Sequence, residues 1–239
     1  MLRYAALVLL SGAAFAHDLW MIEEKGRVLV RIGEDFPVAV NGITEDRVVF
    51  LRAAGCAQEV VLEGKPEDKQ FAAVLPDCRP LLVELEVKAR LITLKAPDFS
   101  RYIRGEGFDS VIEARRGAGK SDAPGLEKYS RYAKLLLGGM TQTVRGHRLE
   151  IVPESWEGAD LPVRVLFEGK PLARAWVSAG PAGMKGHKFP ARVRTDGEGR
   201  AKLAIRSKGL WYARLIHMIP SVEPDAEWRS FFATLTFTR

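Results

Sequence analysis

The chain of 239 residues carries only two cysteines, and they do not form a C-x-x-C pair, which argues against a thiolate metal site. It has no nucleophile elbow of the G-x-S-x-G kind, no H-E-x-x-H helix, no P-loop and no dinucleotide fingerprint, so a hydrolytic or nucleotide-dependent enzyme is disfavoured. Charge of one sign does not dominate: 36 basic residues stand against 30 acidic ones, and with no nucleic-acid motif the mild excess does not mark a nucleic-acid partner. No apolar run reaches the roughly 20 residues needed to cross a bilayer. Collagen-like, coiled-coil and multi-span membrane proteins are therefore ruled out. What remains is globular: 47% hydrophobic residues and 28% charged ones, in a chain long enough to bury a core.

The first sixteen residues read as a secretory signal peptide. Arg3 precedes an apolar run from Ala5 to Leu10, and Ala14-Phe15-Ala16 puts small residues at the two positions a signal peptidase reads. Cleavage after Ala16 makes His17 the first residue and a periplasmic or secreted location the expectation. In that oxidising setting Cys56 and Cys78 are expected to form one disulfide.

Past this segment the chain is written in short period-two runs, such as Arg27 to Ile32, Val48 to Leu51, Phe71 to Leu75 and Leu81 to Val87, punctuated by Gly, Pro, Asn and Asp. The fold class expected is all-β, with two antiparallel β-sandwich domains and a short two-helix insert. The first sandwich covers residues 17–96 plus about 141–153, the insert residues 97–140 and the second sandwich residues 158–239. Within the insert, Phe108, Val111, Ile112 and Arg115 have helical spacing. So have Leu126, Tyr129, Ala133, Leu136 and Leu137 after Pro124, which predicts a second helix. Asp196-Gly197-Glu198-Gly199 reads as a hairpin turn rather than a calcium loop, which would need a closing Glu. The basic excess falls in the last hundred residues, where Arg200, Lys202 and Arg206 alternate with Ala201, Leu203 and Ile205 as on the solvent face of a strand.

His17 is the most informative residue. As the first residue of a processed chain it offers an α-amine and an imidazole that can chelate one ion, and both are easily deprotonated by a divalent metal at neutral pH. Nitrogen donors of this kind suit nickel, cobalt or copper. His217, at the end of the strand Trp211 to Ile216, is the candidate second ligand, and Asp18, Glu223 and Asp225 are candidate oxygen donors. His147 and His187 read as solvated side chains.

Several segments together are familiar: His17-Asp18-Leu19-Trp20, Glu106-Gly107-Phe108-Asp109, Ser121 to Gly125 running into Glu127-Lys128-Tyr129-Ser130-Arg131-Tyr132-Ala133-Lys134, Leu161 to Phe167 before Gly169-Lys170-Pro171, and Asp225 to Trp228 with Ser230 to Phe237. Over nearly the whole processed chain they resemble a bacterial exported family, described as a domain of unknown function and often labelled a periplasmic component of nickel or cobalt uptake. The resemblance implies a transthyretin-like or carboxypeptidase-regulatory-like C-terminal sandwich, histidines at positions 17 and 217, and a membrane metal-uptake transporter as partner, with no membrane span in the processed chain itself. Tyr129, Arg131, Tyr132 and Lys134 could contact an anionic ligand or a partner, or the tyrosines could dock the insert, which the shared helical face of Tyr129 and Leu126 favours. Two other readings stand beside metal binding: a non-catalytic interaction module for protein or glycan, and a copper enzyme of the histidine-brace kind.

Overall fold

The computed structural model describes residues 17–139 and 142–239; residues 1–16, over which a signal peptide is expected, lie outside the described residues. In chain order the strands are β1 (Asp18–Glu24), β2 (Arg27–Gly33), β3 (Val48–Ala54), β4 (Val60–Val61), β5 (Gly64–Glu67), β6 (Gln70–Val74) and β7 (Leu81–Leu94). After helices α1 (Ala96–Glu106) and α2 (Asp109–Gly117) come β8 (Gly125–Leu137), β9 (Leu149–Pro153), β10 (Asp160–Phe167), β11 (Lys170–Pro171) and β12 (Trp176–Pro181). The series closes with β13 (Ala191–Arg194), β14 (Arg200–Ala204), β15 (Leu210–Pro220) and β16 (Trp228–Thr238). The protein is thus all-β, with two short helices.

One eight-stranded sheet, in the order β13-β12-β15-β16-β8-β7-β3-β4, runs through the molecule. Its β16–β8 pair is parallel and its other pairs are antiparallel. A small sheet, β1-β2-β6-β5, covers one face at the β3–β7–β8 end, where Met21, Val30 and Phe71 meet Leu51, Leu85 and Leu135. The opposite face is covered at the other end by β9, β10 and β14, where Ile151, Val163 and Leu203 meet Leu215, Phe231 and Leu235.

Strand β8 serves both cores. Ala133 and Leu135 point into the first, Tyr132 and Leu136 into the second, as side chains alternating across a strand must. This corrects the helix expected over Leu126 to Leu137. Both faces of this strand mix polar and apolar side chains, Glu127 and Arg131 with Ala133 and Leu135 on one and Ser130 and Lys134 with Tyr132 and Leu136 on the other, so no polar and apolar faces alternate and the apolar positions mimic a helical stripe. The insert's two helices are instead α1, which that spacing did not anticipate, and α2. In α1, Pro97 occupies the first turn and Phe99, Tyr102 and Ile103 are buried at helical spacing. Gly107 ends the helix in the left-handed conformation, its N–H donating to the carbonyls of Ile103 and Arg104. Both helices pack on Ile216, Met218, Trp228 and Phe232, on the same sheet face as the small β1 sheet. At the start of β8, any side chain on Gly125 would run into the Phe99 ring, so this close approach fixes glycine there.

Cys56 and Cys78 form the expected disulfide, tying the loop after β3 to the loop before β7 with Cα atoms 5.9 Å apart. Arg200, Lys202 and Arg206 are exposed, as expected, and pair with Glu154, Glu157 and Asp160. No helix among the described residues is long and apolar enough to cross a membrane.

Candidate functional site

The floor of the candidate site is a patch of the large sheet where β7, β8 and β16 run side by side. Strand pairing sets Ile92 beside Glu127, Arg90 beside Tyr129, Val87 beside Arg131 and Phe232 beside Arg131. The period-two pattern Glu127, Tyr129, Arg131 thus aims three functional side chains at one face. Walls come from His17 and Ile32 at the end of the small sheet, from the segment Asn41 to Arg47, and from Tyr102 of α1. They enclose a cavity of about 530 Å³.

His17 stands at this cavity. Its backbone carbonyl accepts a hydrogen bond from Arg131 Nη2 at 2.9 Å, and its Nε2 lies 3.1 Å from Glu34 Oε1. The imidazole is one-quarter exposed. Arg131 also lies over the rings of Tyr129 and Phe232, 4.8 and 5.6 Å from their centroids. Burial holds its guanidinium below the usual arginine range. Glu127 is buried, and its Oε1 accepts from the hydroxyls of Ser230 and Tyr102. Burial pushes its carboxyl up to about 7, although those hydroxyls and Arg131 pull the other way.

Of the residues singled out by sequence, Tyr129 and Arg131 reach this cavity and Tyr132 and Lys134 do not. Because β8 is a strand, the latter two face the other way: Tyr132 joins the second core and Lys134 is buried against Glu150. His217 does not meet His17. On β15, Tyr212 and Arg214 face the side where Asp18 lies, whereas His217 alternates with them and packs on Phe167, ring centroids 4.5 Å apart, across the sheet. Burial lowers its pKa. The expected pairing of these histidines on one ion is corrected by this alternation.

Asp18 is also withdrawn from metal binding. It is buried, with Oδ1 2.9 Å from Arg214 Nε and Oδ2 accepting from the Tyr212 hydroxyl at 3.1 Å. Arg214 spans on to Glu106 through two hydrogen bonds of 2.9 Å. Burial alone would lower the Arg214 pKa, but Asp18 and Glu106 outweigh it and hold the guanidinium charged. Glu223 pairs with Lys128 and Arg229, and Asp225 lies 3.6 Å from Lys128, so neither gathers at His17. His147 is not solvated: it is buried with Nε2 2.7 Å from Glu84 Oε1. His187 is part-exposed, with Nε2 3.6 Å from Asp18. Among the described residues, no three His, Cys, Asp or Glu side chains gather closely enough to hold a metal ion.

Glu34, Arg47, Arg90 and Glu127 were not singled out by sequence. The alternation Glu127, Tyr129, Arg131 was a signal for one of them; the other three join the site through tertiary packing alone.

Fold and site together define a β-sandwich protein with an arginine-lined cavity beside His17. It belongs to the family described as a domain of unknown function, DUF4198, which matches residues 14–219. No curated protein matches it. Among solved structures it is similar to a two-domain fibronectin type III segment of chicken tenascin, at 16% identity over 90% of this chain and 96% of that one, with a TM-score of 0.23. The segment of native alpha-2-macroglobulin from Escherichia coli spanning domains MG0-NIE-MG1 is similar at 9% identity over 89% of this chain and 94% of that one, with a TM-score of 0.24.

Proposed function

We propose that the protein is an exported transition-metal-binding protein, accessory to metal uptake, whose nickel, cobalt or copper cargo is chelated by the α-amine and Nδ1 of His17 once the chain is cut after Ala16. The observation that carries this reading is the placement of Glu34 beside Nε2 of His17. A carboxylate there favours a proton on Nε2 and leaves Nδ1 as the unprotonated nitrogen. Nδ1 is the ring nitrogen that closes a six-membered chelate with an α-amine on the same residue. Glu34 then acts as the orienting partner that histidine ligands commonly keep behind them. The fit is limited to these two donors, with further positions left to solvent or to a ligand carried with the ion.

Calorimetric titration of the processed protein with nickel, cobalt and copper tests this. One equivalent should bind to protein beginning at His17, and binding should be lost in His17→Ala and in protein whose α-amine at His17 is acetylated. Glu34→Gln should weaken it by about 10- to 100-fold. Binding that survives both acetylation of the α-amine and His17→Ala would refute the site.

A further inference from the structure

We propose that the cavity beside His17 is a binding site for a small organic anion, a carboxylate carried on an apolar body. Three arginines, Arg47, Arg90 and Arg131, line it, with Nη2 of Arg47 donating to the Lys88 carbonyl and Nη2 of Arg131 to that of His17. Among the described residues none of the three has a carboxylate oxygen within ion-pair distance. The Nε atoms of Arg47 and Arg131 are buried without a protein acceptor. By contrast, Arg115 faces Glu227, Arg145 faces Glu59 and Glu84, and Arg214 faces Asp18 and Glu106. Arg131 and the Nε of Arg47 are partly withdrawn from water without a carboxylate partner, which is costly, and an anion entering the cavity supplies that partner while Arg90 meets it from the exposed rim.

The remaining surface specifies the rest of the ligand. Ile43, Ile92, Leu94 and Phe232 form an apolar wall, and about 530 Å³ lies within the range of small-molecule sites. A hydrocarbon chain or ring fits that wall while its carboxylate meets the planar, multi-donor guanidinium groups. Glu127 is the acidic group of the lining, and its hydroxyl partners Ser230 and Tyr102 keep it at the edge where α1 meets β8. The proposal is independent of metal at His17, because its cations and its apolar wall are contributed by other residues.

The test uses the processed full chain without added metal and the fluorescent anion 8-anilino-1-naphthalenesulfonate, with decanoate and decanol as competitors. One probe should bind saturably per chain, with decanoate displacing it and decanol, which lacks the charge, failing to do so. Arg90→Gln, at an exposed position, and Arg47→Gln should each weaken decanoate at least tenfold, and Arg90→Lys should recover part of the loss. Circular dichroism melts matching the parent show that the variants are folded. Equal displacement by decanol, unchanged decanoate affinity in both glutamine variants, or no saturable binding of either anion would overturn the proposal. None of these outcomes bears on chelation at His17, which the metal titration reads separately.

Discussion

Arg131 donates from Nη2 to the backbone carbonyl of His17 at 2.9 Å, so a cation in the middle of the large sheet holds the first described residue of the chain. The contact joins positions 114 apart in sequence and makes the His17 end part of the cavity wall. A second anchor sits two residues on, where the Thr234 hydroxyl donates to the Leu19 carbonyl at 2.7 Å. Arg131→Gln is expected to release the first anchor and leave the second. Hydrogen exchange should quicken several-fold at the first amides of β1 while the amides of β16 keep their protection; equal protection in variant and parent would contradict this.

Glu127 makes stability depend on pH. Its folded carboxyl titrates at about 7 against an ordinary value of 4.5, so its contribution is fully present below pH 4.5 and is lost as pH rises through 7. Glu127→Gln keeps an oxygen to accept from Ser230 and Tyr102 and removes the charge. At pH 8 the variant should be the more stable by up to about 3 kcal/mol. Urea unfolding at pH 5 and pH 8 measures the difference, which should nearly vanish at the lower pH.

His217→Ala removes a ring packed on Phe167 and should cost about 1–3 kcal/mol of stability. It should leave metal affinity unchanged, because the large sheet separates it from His17. Parallel melting and titration experiments read both effects from one variant.

Asp18→Ala strips Arg214 of one of its two carboxylates and leaves the buried Tyr212 hydroxyl without its acceptor. The expected loss is about 3–5 kcal/mol, the cost of breaking a buried ion pair from one side. Denaturant unfolding at neutral pH checks it.

Reduction of the Cys56–Cys78 bond, or the double change Cys56→Ala and Cys78→Ala, should lower stability by about 3 kcal/mol through the restored freedom of the unfolded loop. The measurement is the shift in urea midpoint between oxidised and reduced protein.

Much of this architecture is legible in the sequence. Period-two runs gave the strands because half-buried strands advertise their two faces, as Arg200 to Ile205 does. The exception is Leu126 to Leu137, where each face of the strand mixes polar and apolar side chains and no apolar-polar alternation marks it as a strand. That single exchange of helix for strand carried over to the site: on a helix Tyr129, Tyr132 and Ala133 would neighbour one another, whereas on β8 Tyr129 and Arg131 enter the cavity and Tyr132 and Lys134 leave it. The same alternation on β15 removed His217. Arg47, Arg90 and Glu34 could not be found locally, because each reaches the site through pairings and packing distant in sequence.

The most direct test of chelation at His17 is the electron paramagnetic resonance spectrum of the processed protein loaded with one equivalent of copper(II). Hyperfine splitting from two nitrogen donors is expected, retained in His217→Ala and abolished both in His17→Ala and when the α-amine of His17 is acetylated. The same two-nitrogen spectrum in His17→Ala would contradict that chelation.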